Sequence, residues 1–130
     1  MVNHILVSAL KFRLANMSDQ KITYDTGAIR HSAGKPRWDL LPYDAVEEIV
    51  GVLSDGAKTY SDRNWELGFP WMDVYASTMR HMVKWVLGQD LDEKSGRPHL
   101  AHAACNILFL LTYYLRKGGK DNRIKIYDNE

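Results

Sequence analysis

Hydrophobic residues recur at helical spacing in three stretches of the chain. The first stretch predicts a helix that begins after Pro42, with apolar positions at Val46, Ile49, Val50, Leu53 and Ala57. The second predicts a helix over about residues 73–87, whose apolar face consists of Ala76, Met79, Met82, Val83 and Val86. The third predicts a helix over about residues 100–115 that is apolar along one side. Three helices around one core indicate an all-α helical bundle.

The segments that flank these helices are polar and contain glycine or proline. Residues 22–38 are predicted as an extended arm, residues 59–70 as a loop, and residues 89–98 as a polar loop. The end of the chain is charged, although the alternation of Ile124, Ile126 and Tyr127 would suit a short strand. We therefore expect a poorly ordered extension at residues 1–21, one domain at residues 22–116 and a charged tail at residues 117–130.

Composition narrows the class of protein. Hydrophobic residues make up 45% and charged residues 25% of the 130 residues, which predicts a folded domain. The single cysteine, Cys105, excludes a disulfide framework within the chain and indicates a reducing cytoplasm, and no apolar run approaches a membrane span. A formal net charge of +1 lacks the basic excess of a duplex-DNA binder. The third helix is apolar enough that we expect burial against another subunit.

The arm contains the first candidate motif, GKPRWDLLP at residues 34–42. Lys35 and Arg37 are cationic donors that could bind phosphate. The motif is not a Walker A loop, because Pro36 occupies the Ser/Thr position. The alternative is a solvated loop that Trp38 and Leu40 hold against the core.

The second candidate motif is GAKTYSDRNW at residues 56–65. Its cations, Lys58 and Arg63, suit phosphate binding. Asn64 has the donor and acceptor needed to recognise a base or sugar edge, and Tyr60 and Trp65 could stack on a base. The alternative is a helix C-terminus at which Lys58 complements the helix dipole.

Two more candidates lie on predicted helices. His81 and Trp85 are four residues apart and so share a helix face, and Arg80 directly precedes His81. His81 could contact phosphate or transfer a proton. A hydrogen-bonded structural histidine is the alternative. Glu47 and Glu48 on the first helix could be solvated surface, and Glu47 is the better placed to face inward.

Residues 90–106, DLDEKSGRPHLAHAACN, are the richest in candidate ligands. His99, His102 and Asn106 fall on one helix face, downstream of Asp90, Asp92 and Glu93. Oxygen ligands with histidine could hold a divalent cation, and His99, His102 and Cys105 could suggest zinc. The alternative is a set of buried polar groups that bond to one another.

The ordered set of motifs resembles the dATP/dGTP diphosphohydrolase family of phages. The matching segments are GKPRWDLLP at residues 34–42, GAKTYSDRNW at 56–65, RHMVKW at 80–85 and DEKSGRPHLAHAACNILFLL at 92–111. Some of these phages replace adenine with 2-aminoadenine in their DNA. The family is grouped with the all-helical, MazG-like nucleotide pyrophosphohydrolases, so the resemblance implies that fold and a dimer or tetramer.

The resemblance also implies an activity. A purine deoxynucleoside triphosphate, dGTP or dATP, would be hydrolysed to the monophosphate and diphosphate with Mg²⁺ or Mn²⁺. MazG-like enzymes carry a second acidic motif of the form ExxD, and this chain has His102, Ala103 and Asn106 where it is expected. The ligand set is therefore expected to differ from that of the superfamily.

For this reaction we hypothesise roles for the residues of these motifs and of the first helix. The catalytic residues are expected to be Glu47, Glu48, His81 and His102. The metal ligands are expected among Glu47, Asp90, Asp92, His102 and Asn106. The substrate contacts are expected from Lys35, Arg37, Asp39, Lys58, Tyr60, Arg63, Asn64, Trp65, Arg80 and Trp85. A nucleotide-binding regulator without turnover is the main alternative, and a nucleic-acid-binding module is disfavoured by the net charge.

Overall fold

The computed structural model describes residues 20–127 and divides the chain into two compact units, Met1–Leu41 and Pro42–Glu130. Most of the predicted extension at residues 1–21 lies outside the described residues. The fold is mostly helical, as expected, and a small sheet is added to the predicted bundle. No helix among the described residues has the length and apolar character needed to cross a membrane.

The first unit contains a β-hairpin within the stretch predicted as an extended arm. Strand β1 (Gln20–Thr23) pairs antiparallel with β2 (Ile29–Ala33). The turn between them is closed by the amide of Gly27, which donates to the carbonyl oxygen of Tyr24 at 2.8 Å. Gly27 has a φ of +82°, a conformation that glycine adopts without steric cost. A short 3-10 helix at Trp38–Leu40 follows.

The second unit contains helices α1 (Tyr43–Thr59), α2 (Trp71–Val86) and α3 (His99–Arg116). Each helix starts directly after a proline, namely Pro42, Pro70 and Pro98. Proline has no N–H to lose, and its carbonyl accepts the first helical hydrogen bonds in all three cases. The second and third helices therefore begin one or two residues earlier than the apolar pattern predicted.

Helix α3 lies at the centre of this unit and packs against both α1 and α2. The buried apolar residues are Val74, Ala101, Ala103, Cys105 and Tyr113. Small side chains on α3 allow its neighbours to approach closely. The hydroxyl of Tyr113 donates to the carbonyl oxygen of Trp65, and the Trp65 ring stacks on Phe109 with 4.3 Å between ring centroids. These contacts join the loop after α1 to the end of α3.

The apolar stripe predicted on α2 does not face the core of the chain. Met79, Val83 and Val86 are 41%, 47% and 68% exposed, and the buried residues of α2 are Val74 and Thr78. That part of the prediction is wrong, because periodicity reveals an apolar face and does not reveal what covers it. The exposed stripe agrees with the expected homo-oligomer, which stays a prediction.

The tail after α3 is docked against the start of α2 as far as residue 123, whose guanidinium lies over the Trp71 ring, 4.8 Å from its centroid. Lys120 accepts a hydrogen bond from the amide of Trp71, and the Asn122 side chain accepts one from the amide of Met72 at 3.0 Å. The strand suggested for residues 124–127 is not formed, and Ile124, Ile126 and Tyr127 are more than 80% exposed. Among the described residues, no strand pairs with residues 124–127.

Cys105 is expected to be unreactive in the folded protein. Its side chain is 1% exposed, and burial raises the pKa of the thiol to about 11, so little nucleophilic thiolate forms near neutral pH. A thiol-specific chromogenic disulfide should give no signal with native protein at pH 8 and one thiol per chain in denaturant. Rapid labelling under native conditions would contradict this packing of α3.

Candidate functional site

The loop before α3 is organised around the carboxylate of Asp92. The backbone amide and the hydroxyl of Ser95 both donate to Asp92 Oδ2, each at 2.9 Å. The amide of Gly96 donates to the Asp92 carbonyl oxygen, and Gly96 has a φ of +70°, which favours glycine. The His99 amide donates to the Asp90 carbonyl oxygen at 2.9 Å and so ties this loop to the start of α3.

Three histidines converge beside this loop. His81 comes from α2, while His99 and His102 come from the first turn of α3. The Nδ1 atoms of His81 and His99 are 2.9 Å apart, and the rings of His81 and His102 are stacked with their centroids 4.5 Å apart. His99 has no exposed surface, and the other two are partly buried. One hydrogen must lie between the two Nδ1 atoms, so one ring donates and the other accepts.

A chain of hydrogen bonds determines the tautomer of His99. The Gln89 amide nitrogen donates to Glu93 Oε1 at 2.9 Å, and a carboxylate only accepts. Gln89 Oε1 therefore points at His99 Nε2, 2.9 Å away, and this nitrogen must donate. The lone pair of neutral His99 is left on Nδ1, where it accepts from His81 Nδ1.

The same reasoning applies to His102. The hydroxyl of Ser95 has one hydrogen, which it donates to Asp92. His102 Nε2, 2.7 Å from the Ser95 oxygen, must then be the donor in that contact. The three groups form a connected set, in which Ser95 lies between His102 and Asp92.

The environment favours neutral histidine beside a charged aspartate. Burial is the main cause that holds the pKa of His81 and of His102 below the ordinary value of 6.5, and the neighbouring imidazoles add to it. Burial opposes the charge of Asp92, but the two hydrogen bonds from Ser95 and the nearby His102 outweigh it, so the pKa of Asp92 lies below its ordinary value. Both histidines are therefore neutral at pH 7.

His81, Asp92 and His99 could hold a metal ion. One ligand atom from each lies within 4.8 Å of the others. Among the residues that the structure describes, no other group of three or more histidine, cysteine or acidic side chains brings its ligand atoms this close together. Among the residues expected as ligands, Asp92 is a member of the group. His81 was expected to be catalytic, and His99 was a candidate ligand for zinc. The other expected ligands are not members of the group: Glu47, Asp90, His102 and Asn106.

Helix α1 reaches this site through an ion pair. Arg97 binds Asp55 through two nitrogens, with Nη2 at 3.1 Å from Oδ1. Gly51 permits this, because a Cβ there would overlap the Arg97 guanidinium. The bond from Arg97 lowers the pKa of Asp55, and the charge of Glu48 is among the causes that raise the pKa of Arg97. Glu48, a predicted site residue, is exposed, and its charge acts on the Arg97 guanidinium.

A separate groove of about 510 Å³ collects most of the second motif. Its walls include Tyr60, Arg63, Asn64 and Trp65, which the sequence analysis grouped as substrate contacts. One face of Trp65 is used by its stacking on Phe109, and Arg63 pairs with Glu66 at 3.0 Å. Asn64 and Tyr60 are the members without such a side-chain contact among those described. The groove is lined mainly by α1 and the loop after it, away from Arg97.

The remaining predicted residues of the second unit lie at its surface, except Asn106. Glu47, Lys58, Arg80, Trp85 and Asp90 are exposed on the second unit. Asn106 donates to the hydroxyl of Ser77 at 3.0 Å and thereby joins α3 to α2.

In the first unit, Lys35, Arg37 and Asp39 are exposed. Arg37 forms a two-point ion pair with Asp39, with Nε 2.8 Å from Oδ1.

Sequence reasoning missed four residues of the site: Asp55, Gln89, Ser95 and Arg97. The spacing of Asp92, Ser95 and Gly96 is a signal for the tight turn, since aspartate, serine and glycine are typical turn residues. Gly51 and Asp55 lie four apart on one helix face, but nothing local connects them with Arg97.

Residues 25–123 match the family described as dATP/dGTP diphosphohydrolase, N-terminal. The chain belongs to this family. The resemblance expected from the motifs is thus confirmed, and the match of the dATP/dGTP diphosphohydrolase N-terminal family includes all three helices and the Asp92 loop.

A relative in Salmonella phage PMBT28, a dATP/dGTP diphosphohydrolase, is 27% identical over 95 residues. The matched residues cover 73% of this chain and 32% of that relative, so the chain spans about a third of the relative's length. No solved structure matches the chain.

Proposed function

We propose that this chain hydrolyses purine deoxynucleoside triphosphates, dGTP or dATP, to the monophosphate and diphosphate with a divalent cation, Mg²⁺ or Mn²⁺. The observation that carries the proposal is the convergence of two neutral histidines, His81 and His102, on the ionised Asp92. Membership of the dATP/dGTP diphosphohydrolase N-terminal family supplies the substrate class.

The residues present fit a divalent cation. A carboxylate and two imidazole nitrogens within 4.8 Å are ligand types that bind such ions in other proteins. His81, Asp92 and His99 would hold the ion. When bound, it would neutralise phosphate charge and lower the pKa of a coordinated water.

The side chains themselves supply proton transfer and charge. Neutral His102 bears its lone pair on Nδ1, because Nε2 donates to Ser95, and this nitrogen can take a proton from water. Glu48 is the expected partner that orients the water, and Glu47 lies on the same helix, one residue before it. The cations expected to contact the triphosphate in this unit are Lys58, Arg63 and Arg80.

The groove beside Asn64 is the proposed position for the purine base. Asn64 has a donor and an acceptor in its amide, as recognition of a base edge requires. The walls of the groove are mainly apolar, including Val50, Leu53 and Phe109, and such walls suit a flat ring.

The test is a deoxynucleotide panel with and without Mg²⁺ or Mn²⁺. We expect monophosphate and diphosphate from dGTP or dATP, and no product after chelation of the metal. Free phosphate released from the γ position would contradict the proposed reaction.

A second candidate is a nucleotide-binding module without turnover. This alternative is favoured because the chain matches only 32% of the relative, so about two thirds of that protein lies outside the matched region. Saturable dGTP or dATP binding without products would select this alternative.

A further inference from the structure

We propose that His81, Asp92 and His99 form a site for a transition-metal ion of the Co²⁺ and Zn²⁺ class, which binds in preference to Mg²⁺ and without nucleotide. This inference replaces the Mg²⁺ that the proposed function expects at these three residues with a different ion, and it rests on that function only for what the ion does to substrate. Metal binding by itself is a separate property of the residues.

The donor atoms decide the class of ion. Mg²⁺ binds oxygen and keeps much of its water shell, whereas imidazole nitrogen suits zinc, cobalt and related ions. Here two of the three converging groups are histidines. The donor set therefore fits the transition-metal class better than it fits Mg²⁺.

The surroundings orient the ligands as they do in metal sites. A ligating histidine usually donates its other N–H to a carbonyl or carboxylate, which sets the tautomer and the ring angle. His99 does this through Nε2 to Gln89, whose amide is held in turn by Glu93. Its Nδ1 is thereby presented to His81 and Asp92. Asp92 is oriented by two hydrogen bonds from Ser95.

His102 is not counted as a fourth protein ligand. Its Nε2 is 3.9 Å from Asp92 Oδ2, but this nitrogen is hydrogen-bonded to Ser95. Three protein ligands leave a fourth position for water or a phosphate oxygen, as in catalytic zinc sites. The hydrogen bond between the Nδ1 atoms of His81 and His99 must break if both nitrogens are to bind an ion.

The experiment is a titration of tag-free, chelator-treated protein with Co²⁺ alone, read by its visible absorption and by calorimetry. We expect one ion per chain, displacement by Zn²⁺ and little displacement by a large excess of Mg²⁺. No saturable binding, or equal displacement by Mg²⁺, would overturn the proposal.

Variants assign the site to these residues. His81→Ala should weaken Co²⁺ binding by more than about 100-fold, and Gln89→Ala by about 10- to 100-fold, the range for groups that orient a ligand. His31→Ala, a histidine of the first unit, is the matched control and should bind as the unaltered chain does. Gln89→Ala keeps the test decisive if His81→Ala unfolds, and unchanged affinity in Gln89→Ala would then overturn the assignment.

Failure of this proposal is distinguishable from failure of the proposed function. Hydrolysis of dGTP or dATP with Mg²⁺ alone, in a chain that does not bind Co²⁺, would reject the transition-metal site and keep the reaction. Tight Co²⁺ binding without hydrolysis would do the reverse.

Discussion

Asp92→Asn should lower dGTP or dATP hydrolysis by about 100-fold or more, since even groups that only orient a metal ligand contribute about 10- to 100-fold. Asparagine has nearly the same shape, and its oxygen can still accept the hydrogen bond from the Ser95 amide. The turn before α3 should therefore persist, while the negative charge beside His81 and His102 is lost. The measurement is the initial rate of monophosphate formation at saturating metal and substrate.

Asp90→Asn is the matched control for this variant. Asp90 is exposed, two residues earlier in the same loop, and it contributes its backbone carbonyl to the His99 amide, which the substitution keeps. Its rate should stay close to that of the unaltered chain. Similar loss in both variants would show that charge anywhere in the loop matters and would remove Asp92 from the site. Circular dichroism of both variants checks that the helices remain.

The second large effect concerns Gly68, where the loop before α2 meets the tail. Gly68 has a φ of +103°, and a Cβ there would lie 2.9 Å from the backbone Cα and N of Gly119. Both groups are backbone atoms of a docked segment, so neither can rotate away. Gly68→Ala should therefore lower the free energy of unfolding through both backbone strain and overpacking.

Gly88 separates the two causes. It has almost the same φ, +102°, and a Cβ at that position would meet nothing within 4 Å. Gly88→Ala should cost about 1–2 kcal/mol for the left-handed conformation alone. Gly68→Ala should cost about 1–3 kcal/mol more, which is the usual range for overpacking. Urea unfolding followed by circular dichroism gives both values, and equal destabilisation would contradict the docking of the tail at Gly119.

Part of the fold followed from local pattern. The three helices were predicted because apolar residues at helical spacing mark a face that must be buried. The first helix begins directly after Pro42, as predicted, whereas the starts of the other two were misplaced by one or two residues, since the proline before each is a sharper signal than the first apolar residue. The side of α2 that faces α3 was not predictable, because its buried positions include the polar Thr78.

The candidate site followed from residue types in part. His102 was named because polar groups on an otherwise apolar helix are costly unless they are used, and Asp92 because it lies just upstream as an oxygen ligand. His81 was named because it shares a helix face with Trp85. Asp55 and Arg97 were not, since they are 42 residues apart and each is ordinary in its own segment. His99 was recognised as a candidate on the same helix face, but its full burial was visible only in the folded chain.

The sequence by itself determined the helices, the family and the motifs that concentrate histidine, acid and base in a few segments, because these depend on spacing along the chain. Only the tertiary structure decided that His81 meets His99 at 2.9 Å, that Gln89 sets the tautomer of His99, and that Arg97 crosses Gly51 to reach Asp55. Those contacts join a residue of one helix to another helix or to the loop before α3. Their distances depend on how closely α1 and α2 approach α3, which the side chains of all three helices settle together.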